Sequence, residues 1–196
     1  MTLRVEALTG AALSAALDDV ARLRIAVFRA FPYLYDGDLD YECRYLEPYR
    51  SSPGAIVVGG FDGDRLVGAA TGTPMTDHAG DFAEAFAGTG LDLSEIFYCA
   101  ESVLLPECRG LGIGHRFFDI RETHARELGC KHVAFCSVVR PADHPARPAD
   151  YRPLDDFWTG RGYAPLPGVV ARFAWRDLGN TEETRKPLQF WIRRLT

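Results

Sequence analysis

The sequence predicts an α/β fold with a mixed sheet. Three observations carry this. Short apolar, β-branched runs of strand length recur from Leu3 to Leu195. Two longer stretches, Ala11 to about Phe31 and Gly110 to Leu128, repeat their apolar residues at helical spacing. The two patterns interleave along the chain, which is the order of an α/β domain and not of an all-helical or all-strand one.

Taken in order, Leu3–Leu8 alternates as a strand and Thr9-Gly10 breaks it. Leu13, Leu17, Val20, Leu23 (or Arg24) and Val27 form the apolar stripe of the first helix, and Pro32 ends it. Tyr33 to Gly37 reads as an aromatic turn, and Glu42 to Tyr49 as a second short helix. Ala55–Phe61 and Arg65–Thr71 are strands joined by the turn Asp62-Gly63-Asp64. Asp81–Gly90 reads as a helical insertion. Ile96–Leu105 reads as one long strand closed by Pro106. In the helix that follows, Ile113, Phe117, Ile120 and Leu128 share a face, and Gly129 is placed to stop it. His132–Val139 is a buried strand. Arg140 to Arg152 is a proline-rich loop. Leu154–Trp158 starts a short helix that Gly160 and Gly162 end. Val169–Trp175 and Leu188–Leu195 are the closing strands.

At 196 residues the chain reads as a single domain over 1–196. With 47% hydrophobic and 12% aromatic residues it has enough apolar material for a sizeable core. A net charge of −5 argues against a nucleic-acid partner, since tracking a phosphate backbone needs a basic face. No apolar run approaches the ~18 residues of a bilayer span, and the start lacks the order of a signal peptide. The expectation is a cytoplasmic protein with no membrane partner; a homodimer is compatible with the sequence. The 5 cysteines, at 43, 99, 108, 130 and 136, are odd in number and form no C-x-x-C pair. They read as free thiols in a reducing compartment. No His, Cys and Asp residues have zinc-like spacing, so no metal is expected.

The most informative stretch runs from Val103 to Gly114, VLLPECRGLGIG. A strand enters a turn and then a glycine-rich helix start. The first N–H groups of a helix have no intrahelical partner, and the helix dipole adds positive charge there. Without side chains in the way, phosphate oxygens can reach that backbone. A structural strand-to-helix turn would use the same glycines. A P-loop fails, because Gly114 is followed by His115 and not Lys. A dinucleotide fingerprint also fits poorly: the sixth position from Gly110 is His115, and from Gly112 it is Phe117.

Arg109-x-x-Gly112-x-Gly114 after an apolar strand resembles the pyrophosphate loop of the GNAT superfamily of acyl-CoA-dependent N-acetyltransferases, whose pattern is Arg/Gln-x-x-Gly-x-Gly/Ala. Phe157 to Tyr163, FWTGRGY, resembles a second segment of that family. The likeness in element order spans nearly the whole chain. It implies a GNAT-like sheet, mixed but mostly antiparallel, flanked by helices on both faces. It also implies acetyl-CoA as acyl donor and direct transfer to a primary amine of a small molecule or peptide, without a metal. Val103, Leu104 and Leu105 would lie along the pantetheine arm, with a backbone N–H of Val103 or Leu104 facing the oxyanion. Arg109, Gly110, Leu111, Gly112, Ile113, Gly114 and His115 would hold the pyrophosphate, with Arg116 and Lys131 further cations within reach. Phe157 would pack against the cofactor.

An ammonium acceptor must lose a proton before it attacks. Glu101 is the carboxylate of the strand before the loop, which suits a general base; Tyr98 is the nearest polar alternative. Where the family often has a Tyr to protonate the departing thiolate, this chain has Trp158, whose indole is no useful acid. Tyr151 is a loop candidate for that work. Tyr33, Tyr35 and Trp191 are the expected acceptor-side residues, in a region rich in Tyr and acidic side chains that suits a cationic amine. His124 falls on the apolar face of its helix and reads as a core histidine. The rival to an enzyme is a GNAT-like module that binds acyl-CoA without turnover, which the Trp158 departure permits.

Overall fold

The computed structural model describes residues 3–196. In chain order the elements are β1 (Leu3–Leu8), α1 (Gly10–Phe28), α2 (Leu39–Leu46), α3 (Pro48–Ser51), β2 (Ile56–Asp62), β3 (Arg65–Pro74), α4 (Ala79–Phe86), β4 (Ile96–Tyr98), β5 (Ser102–Leu104), α5 (Ile113–Glu127), β6 (His132–Val138), α6 (Asp155–Gly160), β7 (Ala164–Arg176) and β8 (Glu183–Arg194). The strands form one sheet in the order β1-β2-β3-β4-β6-β8-β7, with β5 paired to β3 beyond β4. Among the described residues only β4 and β6 run parallel; every other pair is antiparallel.

Strand alternation sends side chains to two faces. Ile56 and Val58 of β2 join Phe117 and Ile113 of α5 in one core. Val57, between them, joins Leu13, Leu17 and Val20 of α1 in another. Helices therefore cover both faces, α1 to α3 on one and α5 on the other. A third core, on the α4 side, holds Phe82, Tyr98, Cys136 and Phe190. No described helix is long and apolar enough to cross a membrane.

Several boundaries differ from the sequence expectation. α1 stops at Phe28, earlier than Phe31, because the chain turns back there: Tyr35 N–H donates to Phe28 O at 2.9 Å. α2 begins at Leu39 because the Asp38 carboxylate caps it, accepting from Tyr41 N–H at 2.8 Å. α4 runs from Ala79 to Phe86, whereas Asp81–Gly90 was the expected range. β8 begins five residues before Leu188, at Glu183, in a polar stretch that pairs with β7 outside the core. α5 begins at Ile113, and Gly110 and Gly112 stay in the left-handed region ahead of it, with φ of 75° and 79°. It ends as expected. Gly129 has φ 79°, its N–H donates to Arg126 O at 2.9 Å, and Cys130 N–H donates to Ala125 O at 3.0 Å, a Schellman closure.

The expected single strand from Ile96 to Leu105 is broken into β4 and β5. Ala100 N–H donates to Thr71 O at 3.1 Å, and Thr71 N–H donates to Glu101 O at 3.0 Å. Two residues therefore oppose one, which is a β-bulge. Beyond Ala134, β6 leaves this strand and pairs with β8 only, so β5 and the end of β6 diverge.

Candidate active site

The bulge decides which way Glu101 faces. In an unbroken strand Glu101 would share a face with Cys99, whose side chain lies in the α5 core. The extra residue flips the alternation, and Glu101 points toward α1 with Tyr98 and Ala100. Its side chain is 3% exposed, and Arg24 Nη1 of α1 lies 2.6 Å from Glu101 Oε2. The same guanidinium pairs through Nε with Glu42 of α2, which is fully buried. The Arg24 ring contacts are as tight, with its guanidinium 4.4 Å from the Tyr45 centroid and 5.1 Å from that of Phe28. Burial opposes the charge on Arg24, but the carboxylates of Glu101 and Glu42 outweigh it and hold the group as a cation. One oxygen of each carboxylate, Glu101 Oε1 and Glu42 Oε1, is buried without a hydrogen-bond partner.

These groups line a cavity of ≈ 110 Å³. Tyr33, Tyr35, Tyr45 and Tyr98 supply much of its wall, with Phe173 and Trp175 from β7. Burial pushes the phenols of Tyr33, Tyr45 and Tyr98 up, and burial together with Glu42 does the same for Tyr35. They stay protonated and offer hydrogen-bond donors, not anions. The Tyr98 hydroxyl lies 3.4 Å from Cys136 Sγ, whose thiol burial pushes up to about 12. Arg140 closes the rim. It donates to Pro32 O at 2.8 Å and to Tyr33 O at 2.7 Å, and it forks onto both oxygens of Asp177.

On the opposite side of the strand, Arg121 of α5 is 1% exposed. Its Nη1 donates to Thr71 O and Glu101 O, both at 3.0 Å, and its Nη2 donates to Ser102 Oγ at 2.8 Å. It props the bulge from behind. The start of α5 carries no side-chain cap, and the N–H groups of Ile113, Gly114 and His115 find no backbone acceptor among the described residues. A Cβ on Gly110 or Gly112 would meet nothing within 4 Å, so open space lies over this backbone. The site thus has the free donors and the clearance that a pyrophosphate requires.

The structure brings most of the expected residues together and separates others. Tyr33 and Tyr35 line the cavity with Glu101. Phe157 sits at the start of α5, its ring 4.8 Å from that of His115. Arg109 folds back to Leu104 O at 3.2 Å. Leu105 N–H donates to Val67 O, so antiparallel alternation points the N–H of 101, 103 and 105 at β3 and those of Ser102 and Leu104 away from it. Val103 and Leu105 are corrected on this ground. Val103 is fully buried in the α1 core and its N–H faces Ala69, which leaves Leu104 as the outward donor. Trp191 is also corrected. Strand parity turns it away from Leu188 and Phe190 toward Phe135 and Trp158, on the other face of the sheet. Arg116 donates to Val5 O, and Lys131 pairs with Glu95 at the far end of α5, so neither stands at the cradle. Tyr151 packs edge-on to Phe31 at 4.7 Å, outside the cavity wall. His124 Nε2 lies 3.0 Å from Gly54 O, as a satisfied histidine would. Arg24 was missed as a functional residue. Its signal was a charged side chain at a position of the α1 apolar stripe.

Trp158 packs at 4.9 Å on Phe135 and 5.1 Å on Trp191. Its role is packing, so Trp158→Phe is expected to keep turnover within about tenfold of the parent. A loss beyond ~100-fold, with fold and CoA affinity intact, would assign it acid–base work after all.

The comparisons agree with this geometry. The chain superposes on yncA from Salmonella typhimurium, solved with its cofactor acetyl-CoA, at a TM-score of 0.62 with 11% identity over 100% of this chain and 95% of that one. The ribosomal-protein-alanine N-acetyltransferase from Brucella melitensis gives a TM-score of 0.62 and 14% identity over 98% and 99% of the two chains. The PaiA N-acetyltransferase of Thermoplasma acidophilum, in complex with coenzyme A, gives 0.58 and 9% over 100% of both. At such identities these establish the fold alone. None of the curated proteins is similar enough in sequence to count as a match. The sequence model of the acetyltransferase (GNAT) family, however, matches residues 20–149, more than half of the chain, and spans the second half of α1, the bulged strand and the glycine loop. The chain belongs to the GNAT acetyltransferase family.

Proposed function

We propose that the protein is an acetyl-CoA-dependent N-acetyltransferase acting on a primary amine. The observation that carries the reading is the bulge. It puts a buried carboxylate, Glu101, at the wall of a tyrosine-lined cavity on one side of the strand, while the same strand leads into an open helix N-terminus. Bound acetyl-CoA would supply a thioester, from which the acetyl group passes to the amine nitrogen as the nitrogen loses a proton and CoA leaves as the thiol. The N–H groups at the start of α5 hold the pyrophosphate. His115 and Arg109 stand at its edge. Leu104 N–H, turned away from β3, is the backbone donor for the thioester carbonyl. Glu101 accepts the ammonium proton at Oε1, directly or through a water molecule.

The test is release of free thiol from acetyl-CoA across a panel of primary amines. Amine-dependent release supports the enzyme. Tight CoA binding with no release from any amine, at any pH from 7 to 9, would replace it with a binding module.

A further inference from the structure

We infer that the acceptor is a compact monocationic amine that carries no carboxylate or phosphate of its own. This rests on reading the tyrosine-lined cavity as the acceptor side of the proposed enzyme.

The argument is one of charge. Among the residues that line the cavity, Arg24 is the lone cation, and Glu42 and Glu101 are the anions. The phenols are held neutral, so the wall has one negative charge in excess. Arg24 cannot serve a substrate anion, because both carboxylates and two aromatic rings already engage it. The nearby Arg140 and Lys186 share the one carboxylate of Asp177, and their other donors go to Pro32 O, Tyr33 O and Trp175 O, so neither is free for a substrate anion. Meanwhile Glu101 Oε1 and Glu42 Oε1 are buried and unpaired, and an unpaired buried carboxylate oxygen is costly until a donor reaches it. An ammonium supplies that donor and neutralises the excess charge. Tyr and Trp faces around it favour a cation further.

Size narrows the class. A cavity of about 150 Å³ accepts a benzene-sized molecule. The cavity of ≈ 110 Å³ is smaller, so it fits an amine head with a short alkyl chain. A carboxylate on the same carbon as the amine would be carried toward Glu101 with no cation to meet it. Zwitterionic amino acids are excluded on that ground, although they present the same amine.

Three probes of one chain length test this: n-butylamine, norvaline, which adds a carboxylate on the amine carbon, and 1-butanol, which removes the charge. Binding is measured by calorimetry on the full chain with and without CoA, so it does not depend on turnover. The expected result is that n-butylamine binds at least ~100-fold more tightly than norvaline and at least ~10-fold more tightly than the alcohol, and that Glu101→Gln and Glu42→Gln each erase the preference for the amine. Melting curves establish that each variant is folded; a Glu42→Gln chain that fails to fold leaves Glu101→Gln to decide. Norvaline binding as well as n-butylamine would overturn the inference, as would thiol release with amino acids but not with simple amines; both leave the acetyltransferase intact. Selective binding of n-butylamine with no thiol release from it or from any other amine of the panel would uphold the cavity's preference and replace the enzyme with a binding module.

Discussion

Glu101→Gln is expected to lower turnover by ~10² or more at neutral pH, because it removes the carboxylate proposed to take the acceptor's proton. The substitution preserves shape. It also leaves Arg24 paired with Glu42, so no buried guanidinium is stranded and the chain should fold. The sign of the pH dependence follows from the amine. A primary ammonium loses its proton near pH ~10, and below that the free amine rises about tenfold per pH unit. The variant should therefore recover relative to the parent as pH rises from 7 to 9, while CoA affinity stays the same, since the cradle lies past the strand end. Initial rates of both proteins against pH, with CoA affinity measured alongside, decide it. A uniform loss with no recovery would make Glu101 a structural partner of Arg24. Equal rates would move the role to Tyr98 or to water.

The second large effect is expected at the cradle. Gly112→Val should weaken CoA binding by ~100-fold or more, because its side chain fills the open space over the free N–H groups. Gly112 also has φ 79°, which a β-branched residue resists, so part of the loss would come from the backbone. Gly114 provides the control. It has no left-handed φ, and its added Cβ would lie 3.7 Å from Phe157, an ordinary contact. Gly114→Val should weaken CoA binding in the same direction with little change in melting temperature. Calorimetry with CoA on both variants checks this; unchanged affinity in both would place the pyrophosphate elsewhere.

Local signals in the sequence were enough for much of this architecture. The glycines before α5 mark its start, Gly129 marks its end, and the runs around Asp62-Gly63-Asp64 mark the hairpin of β2 and β3. What escaped was set by partners distant in the chain. The break at Ala100 and Glu101 has no Gly or Pro to announce it. It depends on Thr71 opposite and on Arg121 behind, 20 residues further along. Once the bulge is missed, strand parity assigns Glu101 to the wrong face, which is why Tyr98 stood as its rival when both in fact face one cavity. Trp191 failed for the same reason in reverse, since nothing local says which face of β8 meets the acceptor side. Arg24 sits in an apolar stripe, where its charge is intelligible only after two carboxylates arrive from α2 and the bulge.

Arg121 gives α5 the character of a gauge. The helix begins at the phosphate cradle and reaches the bulge eight residues later, at Arg121, a span of about 12 Å at the ~1.5 Å rise per residue of an α-helix. Both ends are fixed to the same rigid rod: free N–H groups at one, a buried guanidinium clasping Thr71 O, Glu101 O and Ser102 Oγ at the other. In the proposed enzyme, the separation between the phosphate end of the donor and the place of transfer is thereby counted in whole residues. Inserting one residue between Ile113 and Arg121 would turn the guanidinium by about 100° and advance it by ~1.5 Å, so that an intact cradle and an intact cavity would no longer share one register. The length of α5 up to Arg121 is a dimension of the catalyst as much as any side chain in the cavity.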